Sequence, residues 1–311
     1  MDKDNFKILI SSAPRYETLM GRVTEYPILR KYKKNLYYFE YKISQLFEKK
    51  MGFRLGAYSD NIQNIKGTVV VFDGETTVFF LKWLKENNPD TRLIYYYWNA
   101  ITKYSIMPEE ISKLGYEVWS FDPEDCERYG IRYNKEFFCD SWYKGLKRQE
   151  DFSYDISFIG RDKNGRMNEI LMLKQMIGND FRWDLYFTAG KWWKGFFNKR
   201  YQAYLTYDQM INRQHKAKAV LDFASNKQSS ITLRFYDALC NGQKVITNNK
   251  NIINDPIYNK ENIFVLGIDD LQNLKSFLNK PFQPMDNKVI EECSILGWKK
   301  RFDEVKDAKL R

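Results

Sequence analysis

At 311 residues, with 43% hydrophobic side chains, the chain is long enough for two ordinary domains and is neither disordered nor fibrous in composition. Its four cysteines (Cys126, Cys139, Cys240 and Cys293) are widely spaced and form no CxxC pair, which argues against a disulfide scaffold or a zinc site and reads as reduced thiols. A net charge of +10 with 17% aromatic residues favours anionic partners: nucleic acid, phosphorylated small molecules or an anionic membrane face.

The first residues, MDKDNFKILISS, carry acidic groups and an apolar run shorter than a signal-peptide core, and no apolar stretch approaches the roughly 18 to 20 residues of a membrane span. A cytoplasmic protein is expected. Residues 6–10 read as a short buried strand followed by a polar loop. The β-branched run GTVVVF at 67–72 is the next strand, ending at Asp73-Gly74. Residues 75–87 place Val78, Phe79, Leu81, Trp83 and Leu84 on one helical face, and Asn88-Pro89-Asp90 stops that helix. A strand at 92–98 (RLIYYYW), a helix at 108–114 closed by Gly115 and a strand at 116–121 follow. Single helices between strands predict a parallel sheet covered on both faces.

From 122 to 151 this rhythm lapses, and the domain boundary is placed near residue 150. The second half then reads as strand 155–159, helix 165–177, strands 182–187 and 218–223, helix 230–240, strands 243–247 and 262–266, and helix 269–279. The organisation expected is α/β, with Rossmann-like domains at 1–150 and 151–285 and a helical tail at 286–311.

The segment AVLDFASNKQSSITLRFYDALCNGQKVITNN, residues 219–249, carries the most chemistry. An apolar strand runs into a loop, Ser229, Ser230 and Thr232 stand at a helix start, and Arg234 and Asp237 lie three apart on one helical face. Free N–H groups and hydroxyls at a helix N-terminus seat a phosphate, Arg234 adds charge, and Asp237 can accept hydrogen bonds from ribose hydroxyls. The same residues also suit a plain helix cap with a surface Arg234–Asp237 pair.

The pattern S-x-T-x-R-x-x-D-A-L-x-x-G-x-x-V-I-T resembles the donor-binding segment of GT-B glycosyltransferases, especially those of bacterial surface polysaccharide and lipopolysaccharide biosynthesis and the spore-type families. The resemblance implies two Rossmann-like domains facing a cleft and a C-terminal helix crossing back to the first domain. It puts Asp237 on the ribose of a nucleotide-sugar donor and Ser229, Ser230 and Thr232 toward its diphosphate. Many members carry Glu where this chain has Asp237, and some a further Glu near the place of Ser229 or Ser230. The segment YDISFIGRDKNGR, residues 154–166, resembles the opening of the GT-B donor domain. There Gly160 would permit close backbone approach while Arg161 and Lys163 supply charge to the diphosphate. In the tail, Trp298 and Phe302 read as the anchors of the returning helix.

For the acceptor-side domain, Asp73 and Glu75 after GTVVVF are the candidate catalytic carboxylates, because the C-terminal end of a parallel strand is where a base would meet substrate. Asp73-Gly74 equally suits a turn, and Glu75 a first-turn helix acid. Arg15, Tyr16 and Asn99 are further candidates. The single histidine, His215, reads as a solvated surface residue. Asp2 and Asp4 lie near the terminus and Asp269-Asp270 reads as a helix cap, so no metal and no cofactor beyond the co-substrate is called for.

Two basic-aromatic stretches, 26–50 and KWWKGFFNKRY at 191–201, suit a membrane interface, single-stranded nucleic acid or an amphipathic helix with a solvated basic face. Beside a glycosyltransferase core they point to a glycan or lipid-linked acceptor and peripheral contact with an anionic membrane, with no nucleic acid expected. The function expected is metal-independent transfer of a sugar from a nucleotide diphosphate sugar to a hydroxyl of a cell-surface glycan or lipid-linked acceptor. The competing readings are a nucleic-acid-binding protein and a non-catalytic sugar-nucleotide binder.

Overall fold

Buried β-branched and aromatic runs alternate with short helices along the chain, and they assemble into two separate parallel sheets. The computed structural model describes residues 6–10, 24–27, 43, 46–47, 62–73, 76–138, 152–162, 165–178, 180–190, 198–223 and 231–304. By contacts the chain divides into a unit of residues 1–135 with 298–311 and a unit of residues 136–297. Residues 139–151, around the boundary suggested by the sequence, lie outside the described residues.

The first unit contains β1 (Phe6–Ile10), β2 (Thr24–Pro27), β3 (Thr68–Phe72), α1 (Val78–Asn87), β4 (Arg92–Tyr97), α2 (Pro108–Lys113), β5 (Glu117–Ser120), α3 (Pro123–Tyr129) and β6 (Arg132–Tyr133). Its strands lie in the order β2-β1-β3-β4-β5-β6, every pairing parallel. Period-2 alternation sorts the tyrosines of β4. Tyr95 and Tyr97 join Val69, Val71 and Leu93 beneath Phe80, Leu81 and Leu84 of α1. Tyr96 points to the opposite face, edge-on to Trp298 and Phe302. Asn88 ends α1 as the sequence predicts: its side-chain amide donates to Leu84 and Ile62 carbonyls, and its oxygen accepts from Ile65 N.

Helix α3 was not foreseen, because 122–151 reads as irregular. Its heptapeptide PEDCERY buries little apolar surface, and the signals that make it are local: the Asp122 carboxylate caps Glu124 N–H, Pro123 fixes the first turn, and Gly130 closes it at φ 62°.

The second unit contains β7 (Tyr154–Arg161), α4 (Arg166–Ile177), β8 (Trp183–Thr188), α5 (Tyr207–Gln214), β9 (Ala217–Asp222), α6 (Leu233–Cys240), β10 (Lys244–Thr247), β11 (Ile263–Val265), α7 (Leu274–Asn279) and α8 (Asn287–Cys293). The sheet order is β11-β10-β9-β7-β8, again parallel throughout. One face packs Phe158, Leu221 and Ile246 under Met167 and Ile170 of α4 and Phe277 of α7. The other packs Val220, Val245 and Ile263 under Phe235, Ala238 and Leu239 of α6 and Cys293 of α8.

The last helix, α9 (Ile295–Glu304), leaves the second unit, and from Trp298 onward the chain belongs to the first. Trp298 and Phe302 are fully buried. Trp298 stacks on Phe72, Phe302 stacks on Phe6 and meets Trp119 edge-on, and Arg92 donates to Phe302 O while pairing with Glu117 and Asp303. The architecture is therefore the expected α/β one: two Rossmann-like units, with a C-terminal helix returning to the first.

Asp155, at the base of β7, accepts from Arg182 N–H at 2.9 Å and pairs with Lys218 at 3.0 Å. Burial pushes its carboxyl upward, but the hydrogen bonds from Arg182 and Lys218 outweigh that and hold it at about 2.

Two outcomes follow for stability. Trp298→Ala is expected to cost about 3–5 kcal/mol in denaturant unfolding of the first unit, and a loss below about 1 kcal/mol would contradict the anchoring. Because Asp155 in the folded chain lies below its ordinary value of about 3.9, its contribution is complete above that pH and is lost as pH falls through about 2. Acid titration of Asp155→Asn should therefore show a shallower loss of stability below pH ~4 than the parent; parallel curves would refute the assignment.

Candidate functional site

In an open parallel sheet, ligands bind beyond the C-terminal ends of the strands where the strand order reverses. In the second unit that point lies between β7 and β9: the chain runs from β7 outward to β8, then returns to the other side of β7 as β9. The residues that end β7 and β9 and those that start α4 and α6 are brought together there.

At the tip of β9, Asp222 is 1% exposed and faces Thr247 of β10 across the register. The Thr232 hydroxyl donates to Asp222 Oδ1 at 2.6 Å and itself caps α6 by accepting from Phe235 N–H. With its hydrogen committed to Asp222, the hydroxyl has none for a phosphate, so what α6 offers an anion is its backbone N–H groups and Arg234.

Arg234 reaches from α6, on one face of the sheet, to Phe158, which packs on the other. Its Nη2 donates to Ile159 O at 3.0 Å, its Nη1 lies 3.5 Å from Asp222 Oδ1, and its guanidinium sits 5.0 Å from the Phe158 ring centroid. Gly160 makes this path possible, since a Cβ there would stand 2.9 Å from Arg234 Nη2 and 3.1 Å from Phe158 Cζ. The two segments that the sequence singled out separately thus meet at one guanidinium.

A second guanidinium belongs to the same cluster. Arg166 starts α4, and its buried Nε makes no hydrogen bond among the described residues. Burial and then the charge of Arg234 lower it from the usual guanidinium value, while Asp222, Asp162 and Glu169 oppose this. Asp222 is pushed above the usual carboxylate range by burial, against the pull of Arg234, Thr232, Arg166 and Thr247. Two arginines converge on one buried aspartate, with Asp162 and Glu169 also acting on Arg166, and their guanidinium groups are the charged donors this reversal offers to an anion.

Sequence reasoning passed over both Asp222 and Arg166. The available signals were a carboxylate closing the apolar run AVLD and a basic residue just after the Asn164-Gly165 turn.

The other candidates are placed as follows. Asp237 is on α6 and 2% exposed, so it is no surface residue, and the ion pair of Arg234 goes to Asp222. Arg161 leans toward β8, 5.5 Å from the ring of Tyr204, whose hydroxyl donates to Ala189 O. Asp162 accepts from Met167 N–H and from the Tyr201 hydroxyl at 2.6 Å. In the first unit, Asp73 ends β3 at the corresponding reversal between β1 and β3. Its Oδ1 accepts from Trp98 N–H at 2.7 Å, and Asn99 Nδ2 lies 3.2 Å from Oδ2, so Asn99 is a partner of Asp73.

Glu75, Lys163, Ser229, Ser230, Arg15 and Tyr16 lie outside the described residues, as do most of 26–50 and all of 191–197. His215, expected at the surface, is 8% exposed; it caps the C-terminal end of α5 in the tight turn into β9, which encloses it. Among the described residues no group of three or more His, Cys, Asp or Glu could hold a metal ion, and no helix is long and apolar enough to cross a membrane.

Neither a family model nor a curated protein matches the chain. Solved structures resemble it distantly. One is a co-structure of S. aureus MnaA with UDP (10% identity, 96% of this chain and 95% of that one, TM-score 0.42). Another is sucrose-phosphate synthase from Thermosynechococcus elongatus (10%, 96% and 86%, TM-score 0.41). A third is the spinosyn forosaminyltransferase SpnP (11%, 96% and 90%, TM-score 0.37). Similarity at this level assigns neither family nor activity.

Gly160→Ala tests the cluster. The added methyl would press on the end of Arg234 and on the buried Phe158 ring, so stability should fall by about 1–3 kcal/mol while the chain still folds and phosphate-type anions bind several-fold more weakly. Unchanged binding by calorimetry would show that Arg234 does not face the ligand.

Proposed function

We propose that the chain is a glycosyltransferase that binds a nucleotide diphosphate sugar at the β7–β9 reversal of its second unit. The observation that carries this reading is the convergence of Arg166, Arg234 and the N-terminal end of α6 around buried Asp222, at the place where a parallel sheet binds its ligand.

In this reading the donor diphosphate lies against Arg234 and Arg166, with Gly160 allowing close approach and Arg161, Lys163, Ser229 and Ser230 as further contacts. Asp237, one turn along α6 from Arg234, receives the ribose. As the glycosidic bond to the diphosphate breaks, negative charge grows on the departing phosphate, and two fixed guanidinium groups stabilise it without a metal ion. Asp73 is the proposed base for the acceptor hydroxyl, with Glu75 as the neighbouring carboxylate.

The acceptor proposed is a cell-surface glycan or lipid-linked sugar of the polysaccharide, capsule or lipopolysaccharide kind. It would be met by a cytoplasmic, peripherally membrane-associated enzyme through the basic-aromatic stretches 26–50 and 191–201. A second reading, binding of the sugar nucleotide without turnover, is favoured by Asp73, whose two oxygens already face Trp98 N–H and Asn99.

Calorimetric titration with a panel of nucleoside diphosphate sugars in EDTA tests the binding, and product analysis in the same buffer tests the turnover. Binding is expected for at least one donor, with Arg234→Ala and Asp237→Ala each weakening it by about tenfold or more. Absence of binding across the panel would contradict the reading, unchanged affinity in Asp237→Ala would remove that residue from the site, and activity abolished by EDTA would contradict the metal-free step.

A further inference from the structure

The Asp222 carboxylate is deeply buried at the tip of β9 and is the shared partner of the groups around the anion site. A negative charge beside a site for a negative ligand is unfavourable on net charge alone. Its geometry accounts for its presence. Arg234 is held from three sides: by the Ile159 carbonyl at 3.0 Å, the Phe158 ring at 5.0 Å and Asp222 at 3.5 Å. Of these only Asp222 carries charge, and it is itself fixed by the Thr232 hydroxyl at 2.6 Å. Without Asp222, Arg234 would keep the repulsion of Arg166 and lose the one charged partner among the three groups that hold it.

We propose that Asp222 is a positioning residue: it keeps Arg234 in its anion-binding pose before ligand arrives, so that a phosphoric anhydride bearing two or more negative charges meets a preorganised guanidinium. This deepens the donor-binding reading and rests on it. The residue acts through Arg234 and touches no ligand, and its contribution is the ordering of a long side chain that would otherwise lose rotamer freedom on binding.

Positioning and net charge predict opposite signs for one substitution. Asp222→Asn preserves size and an acceptor for Thr232 but removes the counter-charge, making the cluster more positive by one charge. If net charge governed, a nucleoside diphosphate such as UDP would bind more tightly; if positioning governs, it binds more weakly, by about tenfold.

The experiment is a double-mutant cycle over wild type, Asp222→Asn, Arg234→Gln and the double variant, each titrated with UDP and with the nucleoside diphosphate of the best donor, and each checked for its melting temperature. The expected result is a loss of affinity in Asp222→Asn that disappears when Arg234 is already Gln. Tighter or equal binding by Asp222→Asn overturns the proposal. So do losses that simply add, since they would mean that Asp222 does not act through Arg234. Should Asp222→Asn fail to fold, Thr232→Val, which removes the hydroxyl that fixes the carboxylate, carries the same cycle with the same expected dependence on Arg234. A wild-type chain that binds none of these ligands overturns both the donor-site reading and this proposal, whereas wild-type binding left intact by Asp222→Asn overturns the positioning role alone.

Discussion

The ion pair between Arg234 and Asp222 ties together what the rest of the second unit only brings near. A sheet reversal creates a crevice between β7 and β9, but it does not by itself place charge there. The charge comes from a side chain that leaves α6 on one face, crosses the tip of β7 and ends over Phe158 on the other. That crossing needs a carbonyl to receive it, a glycine to let it pass and a carboxylate to hold it: Ile159, Gly160 and Asp222. Burial makes Asp222 costly and so makes its partners obligatory. Removing one member would leave a buried charge without its counterpart, which is why the cluster behaves as a unit.

The first unit is organised by a different constraint. Its sheet has an aromatic face in which Phe6, Phe72, Tyr96 and Trp119 need cover, and Trp298 and Phe302 of α9 provide it. The chain therefore has to return after completing the second unit. Arg92 reinforces the return by bonding Phe302 O and pairing with Asp303. Arg301 adds to it through Asn134 and Lys135, close to where the chain first leaves this unit.

Periodicity made most of this fold legible. GTVVVF and RLIYYYW read as strands because β-branched and aromatic side chains alternate cleanly between two covered faces, and the pattern survives even where three tyrosines stand in a row. Helix α3 escaped because it is short, polar and built by capping. His215 was misplaced because a lone polar residue beside a basic stretch carries no sign of the turn that encloses it. Within the site, Arg234 was legible from its place near a helix start, and Gly160 from the strand-turn-helix that contains it. Asp222 and Arg166 were not, since a strand-ending carboxylate and a post-turn arginine acquire meaning only when the topology carries the end of β9 to the start of α4. Thr232 shows the complementary limit: its place at the cap was legible, but not that its hydroxyl would be turned toward Asp222.

Hydrogen–deuterium exchange of the full chain with and without saturating nucleoside diphosphate bears most directly on the central claim, that the anion site is the β7–β9 reversal gathered around Arg234. Ordering by the ligand should slow exchange in two separated stretches, the end of β7 through the start of α4 and the end of β9 through the first turn of α6, and leave the aromatic face under α9 unchanged. Protection confined to the first unit, or spread evenly over the chain, would contradict it.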